Sequence, residues 1–83
     1  MMKSFGARNY TRAQGYSKSY FPDFVIKDKD NNIFAMEIKV NSGRFGEGHQ
    51  KEGLLELKQM GLRTGVLRIR LKLTIEKIEW KEL

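Results

Sequence analysis

Two apolar runs of alternating pattern, joined by a segment built to turn, constrain this chain more than any other feature. From Ile33 to Val40 one face carries Phe34, Met36, Ile38 and Val40, and the other carries Ile33, Ala35, Glu37 and Lys39. Upstream, Phe24 and Ile26 continue an apolar face, while Asp23 and Val25 fall on the opposite one. Between the runs lies Lys27-Asp28-Lys29-Asp30-Asn31-Asn32. Its Asp and Asn residues tolerate positive φ and bond their own backbone, so the segment reads as the turn of a β-hairpin. A turn centred near Asp30 sets Phe24 opposite Met36, Ile26 opposite Phe34, and Asp23 opposite Glu37. The register that matches the apolar faces therefore also juxtaposes two carboxylates.

Carboxylates roughly 5 Å apart at their Cβ atoms repel and shift each other's pKa unless a cation lies between them. A hard divalent ion with oxygen ligands, Mg²⁺ with Mn²⁺ as its substitute, meets that need. Lys39, two positions along the same face, falls where it can hold an attacking water or stabilise charge developing on a phosphate. Together the three residues suit metal-assisted hydrolysis of a phosphodiester. The competing reading is a plain hairpin with a solvated charged face.

Pro22-Asp23, a spacer, and then Glu37-Ile38-Lys39 resembles the signature of the PD-(D/E)XK nuclease superfamily. Downstream come Gly43-Arg44-Phe45, His49-Gln50, an amphipathic stretch ending at Gly61, and an apolar strand. That order is similar to the compact VRR-NUC nucleases and to Holliday-junction resolvases. The resemblance implies that Asp23, Glu37 and the main-chain carbonyl of Ile38 hold the metal, that Lys39 orients or activates the water, and that Gln50 helps to position the site. It implies an endodeoxyribonuclease acting on branched or structured DNA such as four-way junctions. A [DE]-x-K triplet alone is a weak signal, and this chain holds three, at Glu37, Glu56 and Glu79. Only the first ends an apolar strand, follows a Pro-Asp strand in register and precedes a Gln-bearing helix. The chain departs from the pattern upstream, where many members carry a further acid on a helix. Met1 to Pro22 contain no Asp or Glu, which favours one ion per site, or a site completed by another subunit. A binding module that keeps the nuclease fold without its chemistry is the alternative.

A formal net charge of +6 and a pI near 9.8 point to a polyanionic partner. Residues 1–20 read as a basic aromatic arm or irregular strand preceding a minimal nuclease domain over 21–83. Arg8, Arg12 and Lys18 can neutralise phosphates, and Phe5, Tyr10, Tyr16 and Tyr20 can stack on exposed bases. The alternative for this arm is a merely soluble tail. Arg44, in the glycine-rich loop after the hairpin, is placed to reach a phosphate, but that loop lacks the spacing and lysine of a P-loop, so no nucleotide cofactor is expected. Arg68, Arg70 and Lys72 share one face of a later strand. They either track a phosphate backbone or keep an edge strand soluble. His49 can pass a proton to the leaving oxygen or serve as an ordinary helix-start residue.

Eighty-three residues make one small domain with a marginal core, and the absence of cysteine removes disulfide staples. A homodimer is the expected source of further stability, with Trp80 either its anchor or simply core. No stretch is apolar enough to span a membrane, and the N-terminus lacks a signal-peptide core. An intracellular, cytoplasmic location is the expectation, in a microbe or a virus-infected host cell. The pattern predicts an α+β fold: a small mixed β-sheet with a central antiparallel hairpin and one packed helix over about Gly48 to Met60, a reduced restriction-endonuclease-like core. Phe24, Ile26, Phe34, Met36, Ile38, Leu54, Leu57, Val66, Leu67 and Ile69 are the expected buried residues. After Glu76 the apolar phase slips, which predicts a bulge or a separate strand.

Overall fold

The computed structural model describes residues 3–41, 43 and 48–83. Its organising element is the hairpin between β2 (Phe24–Lys27) and β3 (Ile33–Val40). The Asp28 carboxylate closes the turn by accepting from the backbone N–H groups of Asp30 and Asn32, both at 2.9 Å, and from the Asn32 amide at 3.2 Å. Asn31 takes the left-handed conformation, φ 65°, that asparagine tolerates. The register is the one the apolar pattern predicts, with Phe24 paired to Met36 and Ile26 to Phe34.

The described elements form one α+β unit, a five-stranded mixed sheet with two helices. Strand β1 (Lys3–Phe5) pairs antiparallel to β2 at one edge. Helix α1 (Ala7–Ala13) follows it, and α2 (His49–Gln59) connects β3 to the parallel strand β4 (Arg63–Leu71). Strand β5 (Ile75–Glu82) returns antiparallel on β4, with a register shift at Arg70/Leu71; the separate strand begins before the slip read after Glu76, which falls within β5, and the break lies at residues 72–74.

Both helices stop in the same way. The Gly15 N–H donates to Arg12 and the Tyr16 N–H to Thr11; the Gly61 N–H donates to Lys58 and the Leu62 N–H to Leu57. This is the paired closure that a glycine at positive φ permits, at +93° for Gly15 and +100° for Gly61. In each case the next residue, Tyr16 or Leu62, turns into the core. Residues 3–20 are thus built into the sheet and core rather than forming a separate arm. Tyr16 is 2 % exposed, Phe5 stacks on Tyr10 at 4.9 Å, and Arg8 and Arg12 lie over the Phe21 ring at 4.7 and 5.0 Å. The rings expected to meet bases are spent on packing.

The helices cover the sheet face that carries Val25, Ala35 and Glu37, not the richer apolar face expected to be buried. Leu54, Leu57 and Val66 are buried as expected. Ile26, Phe34, Met36, Ile38, Leu67 and Ile69 are only half-buried, and Phe24 is 50 % exposed. The reason is that α2 brings its own leucines to the sheet, and the small Ala35 gives them room that Phe34 or Met36 would occupy. Thr64, Gly65 and Val66 are buried in succession, so the start of β4 is covered on both sides.

Gly53 is the residue that lets α2 approach. A Cβ there would lie 2.5 Å from both the Tyr16 hydroxyl and the Tyr20 ring. Gly53→Ala is expected to destabilise the fold by about 1–3 kcal/mol through overpacking, against the roughly 1 kcal/mol that alanine gains in an open helix. Urea unfolding of the variant measures which effect wins.

Candidate metal and phosphate site

One end of the sheet gathers the acidic and basic groups singled out from the sequence. Asp23 immediately precedes β2, so the hairpin register carries it one step past the Phe24–Met36 pair, to the level of Glu37. Its Oδ2 accepts a hydrogen bond from the Ile38 N–H at 2.8 Å. The N–H and C=O of a strand residue point to the same side, so the Ile38 carbonyl also faces the gap beside Asp23. On the helix-bearing face, Lys39 Nζ lies 3.4 Å from Glu37 Oε1. Glu37 is 5 % exposed, whereas Asp23 is open to solvent.

Tyr20 completes the surroundings of Glu37. Its hydroxyl donates to Glu37 Oε2, and the Tyr16 hydroxyl in turn donates to the Tyr20 main-chain oxygen. Burial pushes the Glu37 pKa up, and the neighbouring Asp23 charge adds to that, while the bonds from Tyr20 and Lys39 pull against it; the net direction is upward. Burial raises the Tyr20 phenol, and the hydrogen bond to Glu37 raises it further. The two acids are therefore a close pair of unequal exposure, held by a tyrosine and a lysine.

The sequence singled out Tyr16 and Tyr20 for stacking on bases, not for a place beside Glu37. The available signal was Gly53, a glycine inside an otherwise good helix, which marks the close approach of something bulky.

Gln50 lies in the first turn of α2 and is half-buried; because α2 starts where β3 ends, it is at the same end of the sheet as Lys39. His49, the first residue of α2, is exposed. Arg68 pairs in register with Lys39 on the same face and donates to the Gly43 carbonyl at 2.7 Å. Arg70 is exposed two residues further along, and Lys72 sits in the β4–β5 turn. Arg8 and Arg12 reach the neighbourhood through Phe21, two residues from Asp23. Lys18 is exposed and lines a shallow hollow with Glu52, Leu55, Glu56 and Gln59 of α2. Arg44 lies outside the described residues.

Among the described residues no three His, Cys, Asp or Glu side chains converge. The donors on offer are two carboxylates and a main-chain carbonyl. That all-oxygen set suits Mg²⁺ or Mn²⁺ and does not suit a thiophilic ion. A cavity of about 380 Å³ opens at the other end of the sheet, lined by Tyr10, Asn31, Asn32, Met60 and Arg63 among others, and has no carboxylate in its wall. Among the described residues no helix is long and apolar enough to cross a membrane. Comparison of the chain with family models, with curated proteins and with solved structures gave no match.

An acid whose folded pKa is raised holds its proton more tightly than in the unfolded chain, so its contribution to stability falls as pH rises through the window above its ordinary value of 4.5. Glu37→Gln is expected to melt above the parent at pH 7, because the neutral amide avoids the cost of ionising a buried acid. The difference should close as pH falls toward 4.5, which a series of thermal melts will reveal. Tyr20→Phe removes the bond that favours the ionised carboxylate, so the Glu37 pKa should climb further; carboxyl-carbon NMR titration reads the shift directly.

Proposed function

We propose that this chain is a Mg²⁺-dependent endodeoxyribonuclease of the PD-(D/E)XK type, hydrolysing phosphodiester bonds in branched or otherwise structured DNA. The observation that carries the reading is the convergence of Asp23, Glu37 and Lys39 at one sheet end, with the Ile38 main chain between them. The Asp23 and Glu37 oxygens and the Ile38 carbonyl would hold the ion. When bound, it supplies positive charge that makes the phosphorus a better target and eases departure of the leaving oxygen.

The remaining work falls to the chain itself. Lys39, anchored on Glu37, presents an ammonium group where an incoming water and a phosphate oxygen meet, which positions one and neutralises the other. Water adds to phosphorus as the P–O3′ bond breaks, its proton passes to solvent, and the 3′ oxygen takes a proton from solvent. Gln50 supports the site from the start of α2. Arg68 and Arg70 extend positive charge along the same face, and Arg8 and Arg12 supply a second approach beside Phe21. The net charge of +6 supports a polyanionic substrate. Preference for four-way junctions rests on the resemblance to resolvases.

One observation favours a second reading, a nucleic-acid-binding module without catalysis. Glu37 meets a tyrosine hydroxyl rather than a third carboxylate.

Incubation of the protein with labelled four-way junction, linear duplex and single strand, in Mg²⁺, Mn²⁺ or EDTA, separates the two. Metal-dependent cutting is expected, reduced by a factor of about 100 or more in Lys39→Ala, the scale seen when a transition-state contact is lost. Mn²⁺ should raise the melting temperature of the parent but not of Asp23→Ala. Tight binding with no cutting would select the module, and no binding to any of the three would remove both readings.

A further inference from the structure

The helices leave one face of the sheet bare, and that face is the more apolar of the two. Its central rows, read across the strands, are Phe24–Met36–Gly65 and Ile38–Leu67–Trp80, with no charged side chain until Glu82 at the end of the first. A third row, Val40–Ile69–Ile78, is apolar throughout. Phe24 is 50 % exposed, Val40 46 % and Ile78 57 %. A monomeric soluble protein rarely leaves a contiguous apolar patch of this extent open to water.

We infer that a second copy of this chain covers this face, sheet against sheet, about a two-fold axis. Three observations choose that occupant.

The first is shape. The face holds a shallow apolar hollow of about 210 Å³ between Ile26, Phe34, Met36, Leu67 and Trp80, and the half-exposed Phe24 and Ile78 lie beyond its lining on β2 and β5. Hollow and projection on one surface are what a self-complementary contact needs, because a two-fold operation seats each copy's projection in the other's hollow.

The second is area. At a rise of about 3.3 Å and a spacing of about 4.8 Å, strands β2 to β5 lay out roughly 460 Å² of flat sheet. Side-chain relief increases the accessible area beyond that figure. Two such faces packed about 10 Å apart approach the lower end of stable interfaces, about 1,200 Å² in total.

The third is need. The buried apolar core on the helix side amounts, among the described residues, to Tyr16, Val25, Ala35, Leu54, Leu57, Leu62 and Val66, little for a domain of this size without disulfides. A cover that every molecule requires to stay folded must always be present in equal amount, and another copy of the chain meets that condition by itself.

In this arrangement Trp80, already packed edge-on to Phe34 at 6.2 Å between ring centres, becomes part of a shared core. Asp23, Glu37, Lys39 and Arg68 stay outside it on the opposite face, while the Arg63–Glu82 ion pair, with Arg63 over the Phe34 ring at 4.8 Å, marks the charged margin of this face. This inference stands apart from the nuclease reading, and its test involves no cleavage.

The test is sedimentation equilibrium of the full chain beside Phe24→Glu, Ile78→Glu and, on the exposed side of α2, Leu55→Glu. The parent is expected at twice the chain mass of 9.7 kDa, with a melting temperature that climbs over an about 100-fold rise in concentration. Phe24→Glu and Ile78→Glu should dissociate at least tenfold more readily while keeping the parent's far-UV circular dichroism, and Leu55→Glu should associate as the parent does. A parent that is monomeric with a concentration-independent midpoint overturns the inference and leaves the face to a different partner. So does a dimer that survives both sheet-face variants, or one lost in Leu55→Glu. Should the sheet-face variants unfold, the parent's concentration dependence together with the Leu55→Glu result decides.

Discussion

The register of one hairpin governs everything else in this molecule. Because side chains alternate along a strand, pairing Phe24 with Met36 settles two matters at once. It aligns an apolar row on one face, and on the other it brings Asp23 level with Glu37. A slip of one residue would scatter both. Asp28 guards against that slip. Slight desolvation acts to raise its pKa, but three hydrogen-bond donors from Asp30 and Asn32 outweigh this and hold its carboxyl below the ordinary range. The turn is thus fixed by an ionised side chain at neutral pH, far from the groups whose spacing it sets.

Glu37 shows how the fold tolerates a buried acid. It is placed on the covered face beside Ala35, where an apolar residue would pack more cheaply. Its two oxygens are each met, one by the Tyr20 hydroxyl and one by Lys39. Tyr20 is in turn held through its main-chain oxygen by Tyr16, and both rings fit because Gly53 offers no side chain. A glycine on α2, two tyrosines before the hairpin and a glutamate in the sheet therefore form one packing unit. Stability alone has no need for an acid there.

Local patterns in the sequence were enough to locate β2, β3, α2 and the turn, because each has a strong period and clear punctuation. Asp30 to Asn32, Gly61 and the alternation of Ile33 to Val40 each act within a few residues. Helix α1 was not legible, because seven residues are too few to show a 3.6-residue period. The choice of buried face was also beyond local pattern. Both faces of β3 offer apolar residues, and only the arrival of Leu54 and Leu57 from α2 selects the one with Ala35. For the candidate site, the positions of Asp23, Glu37 and Lys39 came from register alone, whereas Tyr20 joins them through a contact across seventeen residues that no spacing rule encodes.

The bond from the Ile38 N–H to Asp23 gives that aspartate a second occupation. The backbone pairs of the β2–β3 ladder end at Phe24–Met36. The side chain of Asp23 supplies the next rung by accepting from the Ile38 N–H, so the ladder ends on a carboxylate rather than on a main-chain carbonyl. One oxygen is committed to the strand, and the other is aimed by it. The sheet is, in this sense, hemmed with the very group it displays, and whatever draws on that carboxylate also pulls on the last stitch of the hairpin.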